Sequence, residues 1–91
     1  MQINWTSKAL GDLGRLHAFL AEVNPPAAAK VVVSITDAVD RLPRNPRLGV
    51  RLDEFEPEEV RRIIVGQYEV RYSIAGGVIY VLRIWSARED R

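Results

Sequence analysis

The sequence contains no cysteine, and this absence excludes several kinds of site at once. A disulfide framework, a thiolate nucleophile and a cysteine-ligated zinc or iron–sulfur centre all need that residue. The 91 residues are enough for one small domain, which we take to span 1–91. Without covalent or metal cross-links, such a domain depends for its stability on its hydrophobic core or on a partner.

Other residues that carry chemistry are also scarce. His17 is the one histidine, so the sequence offers neither a histidine pair for a metal nor an evident serine–histidine triad. His17 lies beside an apolar stripe, and we expect a half-buried packing residue rather than a base. No glycine-rich phosphate loop of the P-loop or dinucleotide-binding type is found. We therefore expect no cofactor and no metal.

Long apolar runs are missing as well. No stretch is long enough to span a bilayer, so we expect no membrane partner. Met1–Trp5 has neither the cationic start nor the apolar centre of an export signal. The sequence thus predicts a cytoplasmic protein.

Charge is balanced in total but not along the chain. Thirteen basic residues against twelve acidic ones give a net charge of +1, which argues against a polybasic nucleic-acid binder. Five of the acids lie in Asp53–Glu59, while arginine predominates from Arg61 onwards. The acidic stretch lacks the ligand spacing of a calcium loop, so we interpret it as a solvated face or a partner contact.

Hydrophobic periodicity predicts an α+β domain of order β-α-α-β-β-β, in which a helical hairpin packs on a small, twisted, mainly antiparallel sheet. Thr6 and Asn24 are candidate helix caps. The β-branched run Val31–Val33 leaves a strand open as an alternative, although the helical period continues past it. The predicted elements are a strand at Met1–Trp5, helices at Lys8–Val23 and Ala27–Leu42, a short extended piece at Val50–Leu52, and strands at Arg61–Val65, Tyr68–Ile74 and Val78–Trp85.

Arginines on and beside the last three strands are the most notable feature. If the helices cover one face of the sheet, alternation allows the other face to present several guanidinium groups, a surface that suits phosphate, acidic peptides or stacked bases. The alternative is that these are ordinary strand arginines paired with Glu69, Glu89, Asp90 and the acidic loop. The residues concerned are Arg61, Arg62, Arg71, Arg83, Arg88 and Arg91, with Trp85 nearby.

Strict alternation also assigns these side chains to faces. It places Arg71 opposite Tyr68 and Tyr72 on its strand. On the last strand it places Arg83 on the same face as Val81 and Trp85.

Several motifs in a fixed order extend over nearly the whole chain. Each is weak alone, but together they resemble the RelE/ParE superfamily of bacterial type II toxins, also called plasmid-stabilisation proteins. The motifs are Trp5–Leu13, Asn24–Ala29, Leu42–Gly49, Gly66–Tyr72 and Val81–Arg91.

This resemblance implies a toxin that a cognate antitoxin neutralises by wrapping an extended segment around it, in a toxin–antitoxin hetero-oligomer. RelE-like members cut messenger RNA on the ribosome with basic residues and a C-terminal tyrosine. ParE-like members act on DNA gyrase and are not nucleases. The resemblance also leads us to expect that the apolar groove facing the helices binds an antitoxin helix or strand.

The nuclease pattern fits this sequence poorly. Aligned on Tyr68 and Tyr72, Glu69 falls where RelE-like toxins have an arginine and Val60 where they have a lysine, and no tyrosine follows Tyr80. A carboxylate would repel the phosphate that such an enzyme must stabilise. The residues left for a nuclease are Arg62, Arg71, Arg83 and Arg88.

The closing segment Leu82–Asp90 resembles the ParE-like subgroup. This resemblance therefore implies a gyrase-inhibiting, growth-arresting toxin. The alternatives are a ribosome-dependent mRNA endonuclease or an inactive homologue that still binds antitoxin. Candidate residues for binding target or antitoxin are Arg61, Arg62, Arg71, Arg83, Trp85, Arg88 and Arg91.

Overall fold

The computed structural model describes residues 1–87, and within them two α-helices pack on one five-stranded sheet. The strand order is β1-β5-β4-β3-β2, with β1 parallel to β5 and the other pairs antiparallel. The predicted α+β class and element order are confirmed. The elements are β1 (Gln2–Trp5), α1 (Ser7–Ala21), α2 (Pro25–Arg41), β2 (Val50–Arg51), β3 (Glu59–Val65), β4 (Tyr68–Ala75) and β5 (Val78–Ser86).

Both helices begin at the predicted caps. The Thr6 hydroxyl accepts a hydrogen bond from the Ala9 N–H at 3.2 Å and donates one to the Val81 carbonyl at 2.7 Å. The same side chain therefore starts α1 and fixes it to β5. Asn24 caps α2 in the same way, and Val31–Val33 lies inside that helix. The alternative of a strand at Val31–Val33 is thus wrong.

The core lies between the helices and one face of the sheet. Ile3 and Trp5 pack against it from β1, as their alternation with polar residues predicted. Each fully buried valine or isoleucine contributes roughly 1.5–3 kcal/mol of stability. The buried members of the main cluster are Ala9, Ile35, Val39, Val70, Val81 and Ile84.

A β-bulge interrupts the pairing of β4 with β5. The register shifts by one residue there, and Leu82 is the extra residue on β5. Because a bulge reverses the alternation beyond it, Val81 and Ile84 both enter the core although they are three residues apart. Arg83 and Trp85 lie on the opposite face. The prediction that Arg83 shares a face with Trp85 is confirmed, and the prediction that it shares one with Val81 is wrong.

The loop between α2 and β2 is anchored by Tyr72, which is fully buried. Its hydroxyl donates to the Pro46 carbonyl at 2.7 Å and accepts from the Gly49 N–H at 3.0 Å. Burial raises the pKa of Tyr72 above 10.0, and the Gly49 N–H opposes that rise. Arg61 joins this anchor by donating to the Gly49 carbonyl at 2.8 Å.

Two further expectations concern single features. His17 is exposed on α1, so the half-buried position expected for it is wrong. Within residues 1–87, no helix is long and apolar enough to cross a bilayer. The chain reverses direction at Asn24, which separates α1 from α2.

Candidate functional site

A stack of aromatic rings and guanidinium groups lies on the sheet face opposite the helices. The Arg71 guanidinium lies 5.2 Å from the Phe55 ring centre and 4.7 Å from that of Trp85. The Arg83 guanidinium lies 5.5 Å from the same Trp85 ring. Contacts of this kind contribute about 0.5–1 kcal/mol each at exposed sites. We call these four residues the aromatic–arginine stack.

Asp12 on α1 fixes one end of this stack. Its carboxylate accepts from Arg83 Nε at 2.8 Å and Nη2 at 3.2 Å, from the Ile84 N–H at 2.9 Å, and from Arg15. The contact is possible because β1 ends at Trp5 and leaves the edge of β5 open to α1. Burial acts to raise the pKa of Asp12, but the hydrogen bonds from Arg83 and Ile84 and the positive charges of Arg83 and Arg15 together outweigh it and lower that pKa below 3.8.

Glu69 on β4 is a second carboxylate, with a relative exposure of 1%. Its two oxygens accept from Arg62 Nη1 and Arg71 Nη2, each at 3.4 Å. Trp85 is its cross-strand neighbour. Arg62 and Arg71 are therefore paired with Glu69, as the alternative from the sequence proposed. The carboxylate of these pairs is buried, whereas the Arg62 side chain is 42% exposed.

The structure divides the predicted site residues into groups. Arg61 lies apart from the stack: it faces the helix side and donates to Glu59 at 2.8 Å, where it lowers the pKa of that carboxyl together with Arg47. Arg88 and Arg91 lie outside the described residues. The residues brought together are Arg62, Arg71, Arg83 and Trp85.

Two members of the site were missed in the sequence. Asp12 looks like any polar residue of an amphipathic helix, and Phe55 lies in the acidic loop. The position of Asp12 on α1 could have indicated its role, because it directly precedes Leu13 of the apolar stripe. A carboxylate at that position lies at the border of the core. Nothing in the sequence marks Phe55.

A groove of about 700 Å³ runs between α1 and the second half of β5. Its α1 side carries an exposed aromatic ring, Phe19, at 70% exposure. The wall of the groove formed by the sheet includes Arg71, Arg83 and Trp85 of the aromatic–arginine stack. We call it the α1–β5 groove; its lining includes Asp12, Leu16, Phe19, Arg71, Arg83 and Trp85.

A second groove, of about 680 Å³, lies between α2 and β3 at the opposite edge of the sheet. Apolar side chains that are more than half exposed surround it, namely Leu48, Val50 and Ile64. Within residues 1–87, β2 pairs with β3 only at Val50 and Arg51, so β3 has an open edge past Arg62. We call this the α2–β3 groove.

Comparison with known proteins places the chain in a family. The family model described as "ParE toxin of type II toxin-antitoxin system, parDE" matches residues 3–91. "Toxin RelE2" of Caulobacter vibrioides is 31% identical over 83 residues, which are 91% of each chain. "Toxin RelE1" of the same organism is 31% identical over 84 residues, 92% of this chain and 90% of that toxin.

A solved structure agrees with these sequence matches. It is described as "Chromosomal ParDE TA system from P. aeruginosa", and it superimposes with a TM-score of 0.79 at 26% identity, covering 94% of this chain and 95% of the other. The shared fold is the two-helix hairpin on a mixed five-stranded sheet. The chain therefore belongs to the ParE toxin family within the RelE/ParE superfamily, and it is the toxin of a type II toxin–antitoxin system with an antitoxin as its partner.

Proposed function

We propose that this toxin inhibits DNA gyrase and does not cut messenger RNA. The observation that carries the proposal is the buried carboxylate of Glu69, within 3.4 Å of Arg62 and Arg71. Cleavage of a phosphodiester builds up negative charge in the transition state, and a carboxylate placed among the stabilising cations opposes that charge. A carboxylate about 4 Å from a phosphate oxygen repels it by about 4 kcal/mol at an effective dielectric constant near 20.

The third described arginine of the nuclease set also lies beside a carboxylate. Arg83 gives two of its donors to Asp12. Each of Arg62, Arg71 and Arg83 thus contacts a carboxylate of its own chain. The family model named for ParE supports the same proposal. The names RelE2 and RelE1 of the two relatives favour the second candidate, ribosome-dependent mRNA cleavage.

Purified toxin is expected to inhibit supercoiling by DNA gyrase in proportion to its concentration, and added antitoxin is expected to restore the activity. Primer extension on translated messages should show no cuts at codon positions. A toxin that leaves gyrase active even in excess contradicts the proposal. Codon-positioned cuts would assign the chain to the second candidate, and a chain that causes no growth arrest on induction would be an inactive antitoxin-binding homologue.

We further propose that the antitoxin binds along the α2–β3 groove. The Val60 carbonyl accepts from the Leu52 N–H at 2.8 Å, so every second residue of β3 directs its backbone groups towards β2. Ile64 is the next such residue beyond Arg62, and β2 does not reach it within the described chain. An extended antitoxin segment can add there as a strand and cover Leu48 and Val50 with its apolar side chains.

Ile64→Lys tests this site. Lysine at an open edge discourages strand addition and removes an apolar contact, so we expect antitoxin affinity to fall at least tenfold while growth arrest without antitoxin is unchanged. Leu10→Lys is the matched control, since Leu10 is similarly exposed on α1. Isothermal titration calorimetry measures both variants. Equal affinities for the two would place the antitoxin elsewhere.

A further inference from the structure

We propose that the α1–β5 groove binds an acidic segment of the toxin's target, one in which a carboxylate lies next to an apolar side chain. The inference rests on the proposed function in one respect: it takes the target to be a protein. Beyond that function, it identifies the surface with which the toxin binds its target and the chemistry of the segment that this surface binds.

The first argument is charge. Among the described residues, the charged side chains that line the α1–β5 groove are three arginines, Arg15, Arg71 and Arg83, and one carboxylate, Asp12, which leaves an excess of two positive charges in the groove. Asp12 is shared between Arg15 and Arg83. Glu69 does not line the groove, and it is shared between Arg71 and Arg62, so it does not neutralise both.

The second argument is the position of the two central arginines. Arg71 and Arg83 are directly opposite each other on neighbouring strands, an arrangement of like charges that destabilises a sheet. Both guanidinium groups lie over the ring of Trp85, which holds them side by side. The Nε of Arg71 is buried and has no hydrogen-bond partner within the described chain. An incoming carboxylate that meets both groups gains charge-assisted hydrogen bonds and relieves their mutual repulsion.

The third argument is the apolar side of the groove. Phe19 is 70% exposed although it lies beside Leu16 and opposite the stack. An aromatic ring buries about 150–250 Å² when a partner covers it, and aromatic and arginine side chains dominate binding energy at interfaces. The groove therefore offers an apolar contact and a cationic contact a short distance apart.

A peptide fits these features better than a nucleic acid does. A phosphodiester chain carries a negative charge at every nucleotide, so a stretch that follows the groove would bring phosphates to Asp12 as well as to the arginines, whereas a peptide can present a single carboxylate to Arg71 and Arg83. One carboxylate flanked by an apolar side chain meets the charge excess and Phe19 together. The groove is also at the β1–β5 edge of the sheet, opposite the α2–β3 groove, so the proposed antitoxin site does not compete for the same residues.

Two substitutions at one position test the proposal. Phe19→Asp removes the apolar contact and adds a charge that repels an acidic segment, whereas Phe19→Lys removes the same contact and adds an attractive charge. We expect the toxin level needed to halve the growth rate to rise at least tenfold for the first and about threefold for the second. Leu10→Asp, on the same helix but outside the groove, should leave it unchanged. All three variants should retain full antitoxin affinity.

Several outcomes overturn the proposal: equal loss for Asp and Lys at position 19, no loss for either, or a parallel loss of antitoxin affinity. Binding of a short DNA duplex at physiological salt, lost in Phe19→Asp, would assign the groove to nucleic acid instead. A wild-type chain that arrests growth without inhibiting gyrase refutes the proposed function; if it also makes no codon-positioned cuts in messenger RNA, the same ranking of variants would still support the groove. Codon-positioned cuts would overturn both. A wild-type chain that causes no arrest overturns both.

Discussion

Asp12→Ala is expected to lower the free energy of unfolding by about 2 kcal/mol at neutral pH. The Asp12 side chain is 4% exposed and accepts hydrogen bonds from Arg83, Arg15 and the Ile84 N–H. Removing one partner of a buried ion pair costs about 3–5 kcal/mol when the other charge stays buried. Here Arg83 is 42% exposed and regains water, so the loss is smaller. Urea unfolding of both proteins measures the difference.

The same pair of proteins should show a defined pH dependence. The folded-state pKa of Asp12 lies below its ordinary value of 3.8, so its carboxylate contributes stability above that value and loses the contribution as pH falls through the folded-state pKa. The difference between wild type and Asp12→Ala should therefore be largest near neutral pH and shrink below about pH 4. Asp40→Ala, at an exposed position on α2, is the control and should change stability by less than about 0.5 kcal/mol. If the stability difference between wild type and Asp12→Ala instead grows as pH falls, the ionised carboxylate of Asp12 is not what stabilises the fold.

The helices and strands could be predicted because their signals are local. Thr6 and Asn24 cap the residues that follow them, and each apolar stripe repeats within one element. The bulge at Leu82 could not be predicted, because it is a property of how two strands pair and not of either strand's sequence. Strict alternation through β5 therefore predicted Arg83 on the same face as Val81, whereas the bulge places the two on opposite faces.

The candidate site could also be predicted only where its signals are local. The arginine-bearing face follows from alternation on β4, which put Arg71 opposite Tyr72. The two carboxylates that organise this face do not follow from it. Asp12 meets Arg83 across 71 positions of the chain, so no local pattern connects them. Glu69 alternates like a surface residue, and it is buried because arginines from two strands converge on it.

Gly49→Ala is expected to destabilise the fold by about 3 kcal/mol. A Cβ at this position would lie 2.6 Å from the Arg62 carbonyl oxygen and 2.7 Å from the Tyr72 hydroxyl, both well inside contact distance. The carbonyl belongs to β3 and cannot move without disturbing the sheet, so the loop must lift instead. That movement breaks the hydrogen bonds from the Gly49 N–H to Tyr72 and from Arg61 to the Gly49 carbonyl, which adds to the cost of overpacking.

Gly14→Ala provides a matched control that should change stability in the opposite direction. Gly14 lies in α1, and apart from its two neighbours in the chain and the nearby backbone of its own helix, no described atom comes within 4 Å of a Cβ placed there, so the methyl group meets no obstacle. Alanine favours a helix interior over glycine by up to about 1 kcal/mol, which corresponds to a rise of about 4–8 °C in Tm for a domain of this size. Thermal unfolding should place the two glycine variants on opposite sides of wild type. Because Gly49 also lines the α2–β3 groove, Gly49→Ala should weaken antitoxin binding as well, whereas Gly14→Ala should not. Equal shifts in Tm for the two variants would mean that the close packing of Gly49 against Arg62 and Tyr72 does not hold the loop.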